Sequence, residues 1–488
     1  MGYGSEELHL VGNDFIYRFH LNMHIQFFGA AQYVTGSKHL VTTETGTKIL
    51  LDCGLIQGKL QNKDTTNRHF GFNPYEVDYV ILSHAHIDHS GLLPRLVREG
   101  FRGIIFAHPA TISLCEIMLL DSAHIQTEDL KRVNERRKKR GDEILEALYD
   151  VKDVELTMDL MQPVGYDEQI KLNKEISFHF TDAGHLLGSC AVHLDVTEKT
   201  GKHKLTFTGD IGKYGDPILR DPQPFRQCDI LISESTYGDR LHPKITDTEI
   251  ELLAIVNQTC VQNLGKLIIP AFSVDRTQEL IYSLDKLANQ GKLPAIPVYV
   301  DSPLSVKATA VIRKHEECYN QEFVNYIHAD PDPFGFKNLT YITEVEQSKL
   351  LNEKKGPCII ISASGMAEAG RVKHHISNNI EYHQNTILMV GYCTPESLGG
   401  QLKAGNKVVR IFGEEKQVKA QVKSLDYYSS HADYEEIFTY LNCQNKKKIK
   451  HLFLVHGEKE VQLIFKTKLE AKGYNHIEIP ALGDAFTF

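Results

Sequence analysis

The sequence has no CxxC pair: its nine cysteines are scattered singly and are odd in number. That pattern argues against a disulfide framework and a thiolate-rich structural zinc, and for reduced thiols in a cytoplasm. There is no run of 18 apolar residues, so no segment reads as spanning a membrane. The opening stretch, MGYGSEELHLVGNDF, lacks the basic flank and apolar core of a signal peptide. Positive charge is also in deficit, with 54 Lys and Arg against 63 Asp and Glu and a net charge of −9. A protein that coats nucleic acid through a global basic field is thereby excluded; a nucleic-acid substrate would be held locally, in a cleft. Tandem repeats and low-complexity linkers are missing too.

What is present describes an ordinary globular chain, 42% hydrophobic and 24% charged. Its 488 residues exceed what one core usually holds, so two domains or more are expected. Two basic runs stand out. KRVNERRKKR (131–140) follows acidic and apolar residues at helical spacing and reads as a solvated helix face. KKKIK (446–450) reads as the polar lead into a strand.

A local pattern recurs along the chain: a short β-branched run, then polar residues, then glycine. It occurs as TKILLDCG (47–54), VDYVILSHAH (77–86), ISFHFTDAGH (176–185), KLTFTGDIG (204–212), DILISESTYG (229–238) and HLFLVHGE (451–458). Each run predicts a buried strand ending where a polar side chain emerges. Asp52, His84, His185, Asp210, Glu234 and His456 all fall at such ends, the rigid places where α/β proteins build sites. From Gly238 to about Asp426 the pattern changes to strand–helix alternation, which predicts a parallel sheet. His456 lies beyond that block, yet its chemistry matches the first half. The simplest topology is a first domain interrupted by an inserted second one.

SHAHIDHSG (83–91) sets three histidines and an aspartate directly behind an apolar run. His84 and His86, two apart, point the same way in extended backbone and can grip one ion. Asp88 and His89 follow after a turn and can reach a second. His185 can complete the first site, His456 the second, and Asp210 can bridge them. Seven imidazole and carboxylate ligands suit two Zn²⁺ ions with an open position between them. Two dications against Asp88, Asp210 and one hydroxide leave about +1, which favours a phosphodiester. Asp52 reads as a support that orients a ligand or water.

HAHIDHSG, with DCG before it and DAGHLLGS and FTGDIG after it, resembles the metallo-β-lactamase superfamily. The insertion, with SESTYGDR, SSHAD and VHGE in order, resembles its β-CASP branch, and within it the RNA-processing nucleases. The resemblance runs from about His24 onward. It implies an α/β fold, an αββα metallo-β-lactamase sandwich interrupted by a parallel α/β domain. The expected division is an N-terminal extension (1–23), the metallo-β-lactamase domain's first part (24–240), the β-CASP domain (241–426) and the returning part (427–488). It implies a first zinc site of His84, His86 and His185, a second of Asp88, His89 and His456, and Asp210 between them. Glu234 and His431 fall at the branch's first and second motifs. His456 falls at the third, where RNA-directed members carry histidine and DNA-repair members valine.

Attack on phosphorus needs a proton for the departing oxygen. His431, with Glu234 raising its basicity and fixing its tautomer, has the chemistry of a general acid; the alternative is a helix-capping loop. In SASGMAEAGR (362–371), Ser362, Ser364 and Gly365 are expected at a helix N-terminus with Arg371 one turn in, a phosphate site. Without Gly-Lys-Ser/Thr it is no ATP loop. Arg276 in PAFSVDR is expected to project similarly after a strand. The expectation is a cytoplasmic zinc ribonuclease acting on single-stranded RNA, internally or from an end, as a monomer or homodimer. Two alternatives are a hydrolase of a small ester or phosphodiester on the same scaffold and a non-catalytic RNA-processing scaffold subunit, which would lack ligands.

Overall fold

The computed structural model describes residues 22–58, 63–242, 248–391, 393–425, 427 and 429–488. Most of the expected N-terminal extension and the expected boundary at Asp426 lie outside the described residues.

Two seven-stranded sheets face each other. In the first, the order is Ala485–Thr487, His24–Phe27, His39–Thr42, Lys48–Leu51, Tyr79–Ile81, Ile104–Ala107, Met161–Pro163. In the second it is Ile477–Glu478, His451–Val455, Ile230–Glu234, Gly201–Phe207, Cys190–Glu198, Ile176–Asp182, Ile170–Lys171. Period-two alternation explains the packing: Ile176, Phe178 and Phe180 point inward to meet Ile49, Leu51, Ile81 and Phe106. Helices cover both outer faces. Ile437, Phe438, Leu441, Phe465 and Leu469 pack on one side, and Leu92, Leu96, Leu114 and Leu119 on the other.

A third sheet of six strands lies within residues 266–425, in the order Leu339–Ile342, Val298–Asp301, Cys358–Ser362, Lys266–Pro270, Thr386–Val390, Gln421–Leu425. All its pairings are parallel, and its inner strands KLIIP, CIIIS and TILMV are buried throughout, as a sheet covered on both faces requires. The chain then returns: His451–Val455 pairs in parallel with Ile230–Glu234, leaving Val455 beside Glu234.

The long helix Pro109–Arg140 carries KRVNERRKKR at its end. Among the described residues Ala123 is its last buried one, and the helix ends in a left-handed cap at Gly141. KKKIK likewise leads by a short 3₁₀ turn, Lys446–Lys448, into the strand His451–Val455.

Candidate metal centre

Strand polarity gathers the ligands. Ile176–Asp182, Gly201–Phe207, Ile230–Glu234 and His451–Val455 run in one direction. Their carboxyl ends lead to His185, Asp210, Glu234 and His456. Across the sandwich, Lys48–Leu51 and Tyr79–Ile81 also run together, leading to Asp52 and His84. Asp52 and His456 take left-handed backbone, φ 61° and 53°. For a residue with a side chain that conformation costs about 1–3 kcal/mol and persists only where its surroundings fix it. They do: Asp52 accepts from Ser83 N at 2.7 Å and Ser83 Oγ at 2.9 Å, and the His456 amide donates to Ala30 O at 2.8 Å.

Nitrogens and oxygens crowd toward one another. His86 Nδ1 stands 3.1 Å from His84 Nε2 and 3.2 Å from His185 Nε2. Asp210 Oδ2 lies 3.6 Å from His84 Nε2 and 3.5 Å from His185 Nε2. On its other side Asp210 Oδ2 is 3.3 Å from His89 Nε2, which is 3.1 Å from His456 Nε2, itself 3.5 Å from Asp88 Oδ2. Ligand atoms held tetrahedrally on one zinc ion stand about 3.3 Å apart. The spacings fit, and His84, His86, His185 and Asp210 group about one point, Asp88, His89 and His456 about another. Asp210 Oδ1 is buried with no hydrogen-bond partner. Lone pairs turned on one another in a dry site call for a cation.

Protonation agrees. Burial drives the His84 and His185 imidazoles far below their ordinary range and His86 down to about 4, so all three present lone pairs. Burial opposes charge on Asp210 as well, but the surrounding imidazoles hold it ionised. Asp52 orients a ligand: its Oδ2 lies 2.6 Å from His89 Nδ1, leaving His89 Nε2 to face Asp210. Burial would neutralise His89, yet Asp210 and Asp52 raise its pKa.

Comparison with known proteins places most of the chain. Residues 40–219 match the metallo-β-lactamase superfamily domain, 277–402 the β-CASP domain, and 415–480 the Zn-dependent metallo-hydrolase RNA specificity domain. The chain is similar to ribonuclease TTHA0252 of Thermus thermophilus, 35% identical over 92% of this chain and 97% of that one. The chain belongs to the β-CASP branch of the metallo-β-lactamase superfamily. It is also similar to the transcription termination factor FttA of Methanocaldococcus jannaschii, 30% identical over 93% of this chain and 70% of that one. With the cleavage and polyadenylation specificity factor 73 of Drosophila melanogaster the identity is 28%, over 92% and 62% respectively.

At the mouth of the metallo-β-lactamase site, His431 Nδ1 faces Glu234 at 3.2 and 3.3 Å. Glu234 is fully buried and is held by the Ile211 amide. Burial lowers the pKa of His431, but Glu234, Asp210 and Asp88 outweigh it and raise it to about 9. With Nδ1–H given to Glu234, Nε2 carries the second proton.

The β-CASP domain corrects two expectations. Arg276 does not project: it is 3% exposed, bound to Glu279 and to Ser430 Oγ. Ser362, Ser364 and Gly365 do not open a helix. The helix is Arg371–Asn379, so Arg371 is its first residue, behind left-handed Ala367 and Gly370. Glu368 bonds the Leu398 amide at the start of another helix, and that tertiary bond overrides the helical propensity of AEAG. Ser362 Oγ is buried against Asp301 O at 2.8 Å, Ser364 is partly exposed, and Gly365 lies so close to the Phe272 ring that a Cβ would meet it at 2.8 Å. Arg371 donates to Asp301 Oδ1 at 2.7 Å and to Thr343 O.

Sequence reading missed the helpers. Ser83 Oγ sits between Asp52 and His84 Nδ1. Thr236 Oγ1 lies 3.0 Å from His456 Nδ1. Both hydroxyls sit inside the quoted motifs, where their neighbours drew the attention.

Proposed function

We infer that the protein is a metal-dependent ribonuclease, hydrolysing phosphodiester bonds of single-stranded RNA with two zinc ions. One observation carries this: the ligand atoms of His84, His86, His185, Asp88, His89 and His456 turn on one another around Asp210, beside an imidazole kept protonated by its own carboxylate. His84, His86 and His185 would hold one ion, Asp88, His89 and His456 the other, with Asp210 common to both. The metals, when bound, polarise the phosphodiester and make water a nucleophile at neutral pH. The chain supplies the rest. Glu234 keeps His431 charged and turned, and His431 gives its Nε2 proton to the departing oxygen. Asp52 and Thr236 fix the rings of His89 and His456. Ser364, Gly365 and Arg371 form a cradle for a flanking phosphate at the carboxyl edge of the β-CASP sheet, where parallel sheets present ligands. The names of the similar proteins, a ribonuclease and a cleavage factor, support RNA as substrate, as does histidine rather than valine at position 456.

The test is metal analysis combined with incubation on RNA labelled at the 5′ or 3′ end, against DNA of the same sequence. Close to two zinc equivalents, cleavage abolished by chelation, and RNA cut well ahead of DNA are expected. Full cleavage by metal-free protein, or equal rates on RNA and DNA, would overturn the reading.

A further inference from the structure

Behind the acid lies a buried charge cluster that neither the metal centre nor proton transfer uses. It joins three stretches: residues 211–216 beyond Asp210, the start of the helix Arg276–Asn289, and Tyr427 with residues 429–431 returning from the insertion. Lys213, Asp216, Asp275, Arg276 and Glu279 are all buried there. Arg276 donates to Glu279 and, at 2.6 Å, to Ser430 Oγ, which donates to Asp275 Oδ2 at 2.9 Å. Lys213 Nζ lies 3.7 Å from Glu279 and donates to Tyr427 O at 3.3 Å. The Ser430 carbonyl accepts from Lys213 N at 3.2 Å and faces His185 Nδ1 at 3.3 Å. One residue later, His431 bridges Gly212. Ser430 is thus gripped by a side chain of the insertion and by the backbone of the metal-bearing domain.

Burying five charged side chains is not how an interface is made strong. Apolar residues of the same volume hold such a contact as well or better, so an ionic cluster is better read as fixing one geometry. Strain points the same way. Asp275 stands at φ 72°, ψ −69°, a conformation that costs about 1–3 kcal/mol for a residue with a side chain. Its carboxylate is thereby brought onto Ser430. No phosphate can reach Arg276, which is 3% exposed.

We propose that Arg276 is a positioning residue: it fixes Ser430, and through that peptide it sets His431 against Glu234. The acid therefore stands in place only when the insertion is seated on the metal-bearing domain. This rests on His431 being the acid.

The decisive variant is Ser430→Ala, which removes one hydroxyl and leaves the buried ion pairs intact. It should lower kcat on RNA about ten- to a hundred-fold, the effect of a small misplacement, with KM within about twofold and metal content unchanged. A nitrophenyl phosphodiester, whose leaving group needs no proton, should lose far less rate. Arg276→Gln should act in the same direction and Arg276→Lys should recover part of the loss; Ser430→Ala in a His431→Ala background should add nothing. Unchanged kcat on RNA in Ser430→Ala, equal slowing of both substrates, or a raised KM with weaker salt dependence would overturn the proposal. If His431→Ala itself fails to separate the two substrates, the acid reading falls and takes this one with it, an outcome distinct from the failure of Ser430→Ala alone.

Discussion

Two clusters in this molecule draw on the same residue types at the same kind of place. Asp301 ends a parallel strand of the β-CASP sheet, as Asp210 follows a strand of the metallo-β-lactamase sandwich. Around Asp301 every group has a partner. Its Oδ1 accepts from Arg371 and its Oδ2 from Ser348, with His375 Nε2 at 2.6 Å; the other ring nitrogen of His375 lies 2.9 Å from Asn352 Oδ1. Around Asp210 imidazole nitrogens face one another, and one carboxylate oxygen has no hydrogen bond. Composition and burial do not separate a brace from a chemical site. What separates them is whether the protein satisfies its own polar atoms.

The comparison breaks most visibly at Asp210. Asp210→Ala should cost about four orders of magnitude or more in RNA hydrolysis, because it removes the carboxylate proposed to serve both ligand groups. Metal content, measured by mass spectrometry, should fall with it. Full metal occupancy in this variant would mean the crowded lone pairs are only structural.

His431→Ala should come next, about a hundred- to ten-thousand-fold slower on RNA while keeping its metals. Because the working form of His431 is protonated, activity should hold below its raised pKa of about 9 and fall as pH rises through it. Glu234→Gln removes a charge that raises the pKa, so this alkaline limb should move to lower pH, with a milder rate loss. A pH–rate profile unmoved by Glu234→Gln would remove that carboxylate from the acid's support.

Asp301→Ala should do the reverse of Asp210→Ala. Leaving buried His375 and half-buried Arg371 without their acid should cost about 3 kcal/mol in urea unfolding. The folded fraction should keep its metals and its kcat. Loss of metal there would erase the distinction between the two clusters.

The smallest expected effect is on binding. Arg371→Gln should weaken RNA binding and lower the salt slope by about 0.7, the share of one phosphate contact. A slope unchanged by titration would show that Arg371 serves Asp301 alone.

The metal centre was legible because metal chemistry demands particular side chains at tight spacing, and SHAHIDHSG, DAGH, TGD and VHG supply them. The parallel sheet was legible because strands buried on both faces become continuous apolar runs. Arg276 was not, since a sequence does not say which acid lies beside a base; Glu279, one helical turn on, and Ser430, 154 residues away, claim it. The SASG turn was misplaced because Gly365 and Glu368, on either side of left-handed Ala367, answer to contacts with Phe272 and Leu398 that lie far away in sequence. The short strand Ala485–Thr487, which pairs with His24–Phe27, carries too little pattern to be read at all.

His89 and His456 meet at 3.1 Å although 367 residues separate them, and Glu234 meets His431 across 197. Order of synthesis gives that separation a meaning. A ribosome releases His84, His86, Asp88 and His89 early, as four ligands of a centre that cannot close. His431 and His456, the proposed acid and last ligand, emerge only after the whole insertion has been made. A chain that ends before residue 456 therefore lacks the last residue of the proposed cutting site.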